Sequence, residues 1–172
     1  QLLDDATADS INKVTITAYE PAFGIIGDPA KRNPTTRQSA DHSMVYIIAT
    51  LIRKAIENKT KGIEPNWKDL LLVPADYAPD AIDNTLTRKI MDKIEFAHGG
   101  DEYDRNYPDG IPTSVVITDT SGNEAESGMI MYPPGHARNT SHDLDDHLAN
   151  KWKALAAIAS EDPEALVARF NN

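Results

Sequence analysis

Residues 37–46 contain the densest group of side chains that could perform chemistry: Arg37, His42, Ser43 and Tyr46. The imidazole of His42 can exchange a proton near neutral pH. The guanidinium of Arg37 can hold a carboxylate through two parallel hydrogen bonds, and the two hydroxyl groups can donate hydrogen bonds. On a helix, His42 and Tyr46 would share a face because they are four residues apart. These residue types suit the binding of a small anion combined with proton transfer.

The chain around these residues changes from a polar, basic loop after Pro34 into an apolar helix predicted from Ser39 to about Asn58. Ser39 is the predicted N-cap, and Asp41 suits the first turn. The unpaired N–H groups at a helix N-terminus favour anions. A histidine in that first turn should favour its neutral form. The helix is predicted to be buried because apolar side chains cover most of its circumference: Met44, Val45, Ile47, Ile48, Leu51 and Ile52.

The loop before this helix is basic. Lys31 and Arg32 lie in a stretch containing proline and asparagine, and Arg37 follows closely, so three cations are predicted near the helix N-terminus. Two structural interpretations remain open from residue types alone. The cations could form a solvated loop, and His42 could be a histidine satisfied at a helix start, with the neighbouring serines and Asp41 serving only as caps.

Composition restricts the possible classes of function. The chain of 172 residues has 17 basic and 27 acidic side chains, a formal net charge of −10, which argues against nucleic-acid and anionic-membrane partners. The absence of cysteine excludes disulfides, a cysteine nucleophile and cysteine-bound metal centres. No zinc-binding spacing relates the four histidines that follow His42, so no metal or other cofactor is expected: His98, His136, His142 and His147.

Alternating apolar residues predict four strands, at residues 13–17, 93–98, 113–119 and 124–132, and helices are predicted between the first two. This order predicts an α+β fold in which a two-layer antiparallel sheet is backed by helices. His136 would lie where the last strand ends. Two further helices with apolar stripes are predicted after Ser141, where Ser141 and Asp162 begin them.

Three segments together resemble the MmgE/PrpD family, which includes the 2-methylcitrate dehydratases. The run from Asn33 to Ile47 resembles the family signature Arg-x-x-Ala-Asp-His-Ser-x-x-Tyr. Residues 11–17 resemble the strand that precedes this signature, and residues 132–138 resemble the family motif Tyr-Pro-x-Gly-His. The matches occur in the family's order and span nearly the whole chain.

The resemblance implies that residues 1–138 form a lid-like α+β domain, whereas residues 139–172 form helices that pack on an all-helical domain upstream of Gln1. It implies dehydration of 2-methylcitrate to 2-methyl-cis-aconitate in propionate breakdown, the methylcitrate cycle, without a metal cluster. Much of the family's catalytic machinery lies in the helical domain, so this chain alone is expected to be inactive or nearly so. The expected location is the mitochondrial matrix in a eukaryote and the cytoplasm otherwise.

The resemblance also implies roles for individual residues. His42 and Tyr46 are the expected catalytic residues, and Arg37, Ser43 and His136 are expected to bind the substrate. The expected partners are a small tricarboxylate, the helical domain and a second copy in a homodimer, with no nucleic acid or membrane. Three alternatives remain: a cis-aconitate decarboxylase, an epimerase of amino-dicarboxylates, and a non-catalytic binding module.

Overall fold

The computed structural model describes residues 7–169. They form two compact units, the first ending at Met131 and the second beginning at Tyr132. The ends of the two predicted domains, residues 1–6 and 170–172, lie outside the described residues. The assignment of residues 1–138 to a lid and of 139–172 to a helical partner stays a prediction.

A four-stranded sheet is the centre of the first unit, and its order is β2-β1-β3-β4. The strands are β1 (Ile11–Ala18), β2 (Ile94–His98), β3 (Thr113–Asp119) and β4 (Glu124–Glu126). With helices packed against this sheet, the predicted α+β class is confirmed.

The strand pairing differs in one respect from the antiparallel prediction. Strand β3 pairs antiparallel with β1 and β4, but β1 pairs parallel with β2, so the sheet is mixed. The helices between β1 and β2 return the chain to the end of the sheet where β1 began, which is the crossover that parallel pairing requires. The predicted strand at 124–132 is shorter because Gly128 has φ 65° and interrupts the extended backbone. Pairing resumes only as a bridge between Thr113 and Ile130.

Helical segments join the strands of the first unit. They include a π-helical turn (Ala22–Ile26) and two 3₁₀ turns (Pro29–Lys31 and Pro74–Tyr77). The α-helices are α1 (Arg37–Ala40), α2 (Met44–Thr60), α3 (Trp67–Leu70), α4 (Pro79–Ile82), α5 (Thr85–Met91) and α6 (Gly100–Asp104).

The core of the first unit lies between the sheet and the long helix α2. Val14 and Ile16 of β1 are fully buried, as the alternation of that strand predicted. Helix α2 contributes buried residues at spacings of three and four, and α5 and β2 add three more: Val45, Tyr46, Ala49, Ile52 and Ile56, then Ile90, Met91 and Ile94.

The second unit contains two helices, α7 (Leu144–Ala159) and α8 (Pro163–Ala168). Asp143 caps α7 in place of the predicted Ser141, and Asp162 caps α8 as predicted. Apolar side chains along α7 are largely exposed, including Trp152 and Ile158. No helix within residues 7–169 combines the length and the apolar character needed to cross a membrane.

Candidate functional site

The segment that contains the predicted site residues is built from two successive helix starts. The predicted single helix from Ser39 is wrong, because α1 ends at Ala40 and α2 begins at Met44. Ser39 belongs to a capping box with Thr36, in which the Ser39 amide donates to Thr36 Oγ1 at 3.2 Å. Ser43 caps α2, and its hydroxyl accepts from the Tyr46 amide at 3.2 Å. His42 therefore lies in the turn between the two helices.

Tyr46 is the internal anchor of this segment. Its side chain is fully buried, and its hydroxyl donates to the backbone carbonyl of Asp76. Lys54 in turn holds Asp76 in place, since Lys54 Nζ lies 3.0 Å from the Asp76 carboxylate. Burial raises the pKa of Tyr46 above its ordinary value. Tyr46 and His42 do not share a helical face, because α2 begins after His42.

His42 is exposed but held in a defined orientation. Its side chain is 78% exposed. Its Nδ1 atom hydrogen-bonds with the Asp41 carboxylate and lies 3.0 Å from the Gln38 carbonyl. The hydrogen bond to Asp41, followed by that to Gln38, raises the pKa of His42 above its ordinary value. The predicted direction of the pKa shift, toward the neutral form, is therefore wrong. The imidazole precedes the cap of α2 and faces two oxygen acceptors instead of free N–H groups.

The three predicted cations occupy different environments. Arg37 is the exposed first residue of α1, and within residues 7–169 its guanidinium has no hydrogen-bond or ion-pair partner. The positive charge of Lys31 opposes part of the rise in the pKa of His42, which places Lys31 near the imidazole. Arg32 instead stacks over the Phe96 ring at 5.4 Å and has a buried Nε without a hydrogen-bond partner among the described residues.

Arg88 positions the loop that leads into this segment. Its side chain donates to the Asn33 side-chain oxygen at 2.6 Å and to the Pro34 carbonyl at 2.7 Å. A third hydrogen bond, to the Ile82 carbonyl at 2.8 Å, fixes the guanidinium itself. Sequence reasoning did not identify Arg88. No local pattern could reveal it, because Pro34 lies 54 residues away along the chain.

His136 lies in the second unit. Its Nδ1 accepts a hydrogen bond from the Arg138 amide at 3.1 Å, and its ring is 5.0 Å from that of Tyr132. Gly135 permits this turn with φ 90°. The substrate-binding role of His136 stays a prediction, as do those of Arg37 and Ser43 and the catalytic roles of His42 and Tyr46.

A second polar cluster, not identified from the sequence, lies where the parallel strands β1 and β2 end. His98 Nε2 is 3.0 Å from an Asp104 carboxylate oxygen and 3.5 Å from Glu20. Asp104 also accepts from the Glu20 amide at 2.8 Å, so this cluster joins α6 to the end of β1. Across the described part of the chain, no group of three or more histidine, aspartate or glutamate side chains could hold a metal ion.

Asp41 and His42 thus lie together at an exposed turn, the charge of Lys31 acts on the imidazole, and Arg37 lies one residue before the Gln38 carbonyl that His42 contacts. An exposed imidazole with a raised pKa, influenced by the charge of Lys31, can attract a small anion and donate a proton to it. Ser43 and Tyr46 are buried beneath this turn. No protein-family model and no curated protein matches this chain.

Proposed function

We propose that this chain is the lid and C-terminal part of a 2-methylcitrate dehydratase of the MmgE/PrpD family. The proposal is supported by three segments that resemble the family in its own order, residues 11–17, 33–47 and 132–138. The first of these lies in the central strand β1, and the second covers the loop, both caps and the start of α2.

The observation that carries the proposal is the exposed but oriented imidazole of His42. Dehydration of a hydroxy-tricarboxylate needs cations to hold carboxylates, a base to remove a proton beside a carboxylate and an acid for the departing hydroxyl. Arg37 is exposed and has its guanidinium available for a carboxylate, and Lys31 lies near the imidazole. His42 is the group that transfers a proton.

In this proposal, Ser43 and Tyr46 have a structural role, unlike His42. Both side chains are buried and hydrogen-bonded within the chain, so they fix the turn that carries His42. The remaining acid and base groups belong to the helical domain, on which residues 139–172 pack. His136 keeps the substrate-binding role that the family resemblance implies. The whole enzyme is a homodimer that needs no cofactor, and in a eukaryote it works in the mitochondrial matrix.

The test is turnover of 2-methylcitrate by the enzyme that combines this chain with the helical domain. His42→Ala is expected to lower kcat/KM by about 100-fold or more, the usual contribution of acid–base catalysis. Arg37→Ala is expected to raise KM mainly, because it removes a carboxylate ligand. Lys89→Ala is the matched control, since Lys89 is an exposed cation of the first unit. Its turnover should equal that of the wild type.

Other outcomes separate the alternatives. Unchanged turnover in both variants would overturn the proposal and favour a non-catalytic binding module. Release of carbon dioxide from cis-aconitate, or epimerisation of an amino-dicarboxylate, would identify a different activity within the same family. Rapid dehydration by this chain alone would contradict the assignment of the remaining catalytic groups to a helical domain.

A further inference from the structure

The hydrogen bonds of His42 determine which of its ring nitrogens carries the exchangeable proton. Nδ1 faces the Asp41 carboxylate and the Gln38 carbonyl, which is 3.0 Å away. A backbone carbonyl can only accept a hydrogen bond, and an ionised carboxylate can only accept as well. Nδ1 must therefore donate, so it keeps its hydrogen whether the ring is neutral or protonated.

The other ring nitrogen, Nε2, is consequently the atom that gains and loses a proton. No described residue hydrogen-bonds to Nε2, and the side chain is 78% exposed. Two charged groups act on the imidazole: Asp41, which favours the protonated ring, and Lys31, which opposes it. The hydrogen bond to Asp41 outweighs the effect of Lys31, so the net effect on the pKa of His42 is a rise.

We propose that Asp41 is a positioning residue that keeps the Nδ1 hydrogen of His42 in place, so that Nε2 delivers the proton to the departing hydroxyl group of the substrate. This inference rests on the proposed dehydratase function and adds the atom, the tautomer and the direction of transfer. Asp41 acts through His42, because its carboxylate contacts Nδ1 and not Nε2.

A base of the helical domain removes a proton from the carbon beside a substrate carboxylate, and the electron pair of that C–H bond forms the C=C bond. The C–O bond breaks, and the oxygen takes its electron pair together with the Nε2 proton of His42. Water leaves, and His42 remains neutral with hydrogen on Nδ1. No oxidant, reductant or metal is required.

The tautomer can be measured on this chain without substrate, by nitrogen NMR of the histidine ring across a pH titration. Above the pKa of His42, the expected spectrum has a protonated Nδ1 and an unprotonated Nε2. A neutral ring that carries its hydrogen mainly on Nε2 would overturn the inference. Because no turnover is involved, this result is independent of whether the chain belongs to a dehydratase.

Two variants separate the charge of Asp41 from its acceptor. Asp41→Asn retains an oxygen acceptor without charge, so the Nδ1–H tautomer should persist while the pKa of His42 falls. Asp41→Ala removes both, so the pKa should fall and the share of the Nε2–H tautomer should increase. Asp80→Ala removes an exposed carboxylate of the same unit and should change neither. An unchanged tautomer and pKa in both Asp41 variants would overturn the positioning role.

In the enzyme that includes the helical domain, Asp41→Ala should lower kcat by about 10-fold or more, since it disturbs a group that itself contributes about 100-fold or more. The alkaline limb of the kcat/KM profile should move to lower pH, because the catalytic acid loses its proton earlier. A purely structural role would lower the amount of active enzyme without moving this limb. An unmoved limb would overturn the assignment of His42 as the acid.

Discussion

Replacing Arg88 by methionine tests whether one side chain secures the loop before α1. The guanidinium donates to three protein oxygens at 2.6–2.8 Å, on Asn33, Pro34 and Ile82. Methionine has a similar length and apolar stem but no donor. The variant should therefore lose the hydrogen bonds while keeping most of the packing.

The expected loss of unfolding free energy follows from these contacts. A hydrogen bond from a charged donor contributes about 1.5–3 kcal/mol, and removal leaves the acceptors to be satisfied by water where water can reach. The Arg88 side chain is 25% exposed, so part of that rehydration is possible. The fourth contact, to Asp83 at 3.3 Å, adds little because the Asp83 side chain is 80% exposed. Three such bonds would contribute roughly 4.5–9 kcal/mol if nothing replaced them, and hydrogen bonds to water recover about half of this, so the expected loss is about 2–4 kcal/mol.

The assay is urea denaturation followed by circular dichroism, combined with amide hydrogen exchange of β1. Exchange at the buried amides of Val14 and Ile16 assigns the loss to the first unit, since both residues lie in its core. Lys89→Met is the matched control, because Lys89 neighbours Arg88 on α5 and is exposed. Both variants remove one positive charge. If Arg88→Met were no less stable than Lys89→Met, the loop-securing role of Arg88 would be refuted.

Three further predictions concern local structure and pH. Ser43→Ala should cost about 1 kcal/mol of unfolding free energy, because α2 loses its N-cap, and an unchanged urea midpoint would contradict this. Gly122→Ala should cost about 1 kcal/mol or more because φ is 84°, whereas Ser121→Ala next to it should be nearly neutral in the same assay. Hydrogen bonds from Asn123 lower the pKa of Asp119. The carboxylate therefore stabilises the fold above its unfolded pKa, and this contribution is lost as pH falls through the lower folded pKa. Asp119→Asn should consequently show a shallower loss of stability below about pH 4 in an acid titration; an equally steep loss would contradict this.

The sequence identified the candidate site but not its geometry. Lys31, Arg32 and Arg37 were predicted to be a cationic group beside His42, and in the structure the charge of Lys31 acts on the imidazole, whereas Arg32 stacks over Phe96. The helix start was misplaced, because Ser39 and Ser43 are both suitable caps. Thr36 in fact caps α1, with Ser39 at its N3 position, and Ser43 caps α2. This moves His42 from a helical turn with free N–H groups to a turn where its ring faces two acceptors.

Contacts between residues far apart in the sequence fix features that no local sequence pattern could predict. The anchoring of Tyr46 on the Asp76 carbonyl and the Arg88 contacts to Asn33 and Pro34 join residues 30 and about 55 positions apart. The tautomer and the pKa of His42 likewise depend on where its neighbours point.

The sequence by itself determined the α+β class, because alternating residues such as Val14 and Ile16 bury one face of a strand wherever that strand lies. It also determined where β3 lies and where β4 begins, since strands were predicted at residues 113–119 and 124–132. Only the tertiary structure decided that β1 and β2 are parallel and that His42 is exposed while Tyr46 is buried. The physical reason is that periodicity reports how a residue relates to its own element, whereas pairing, exposure and protonation depend on which other elements pack against it.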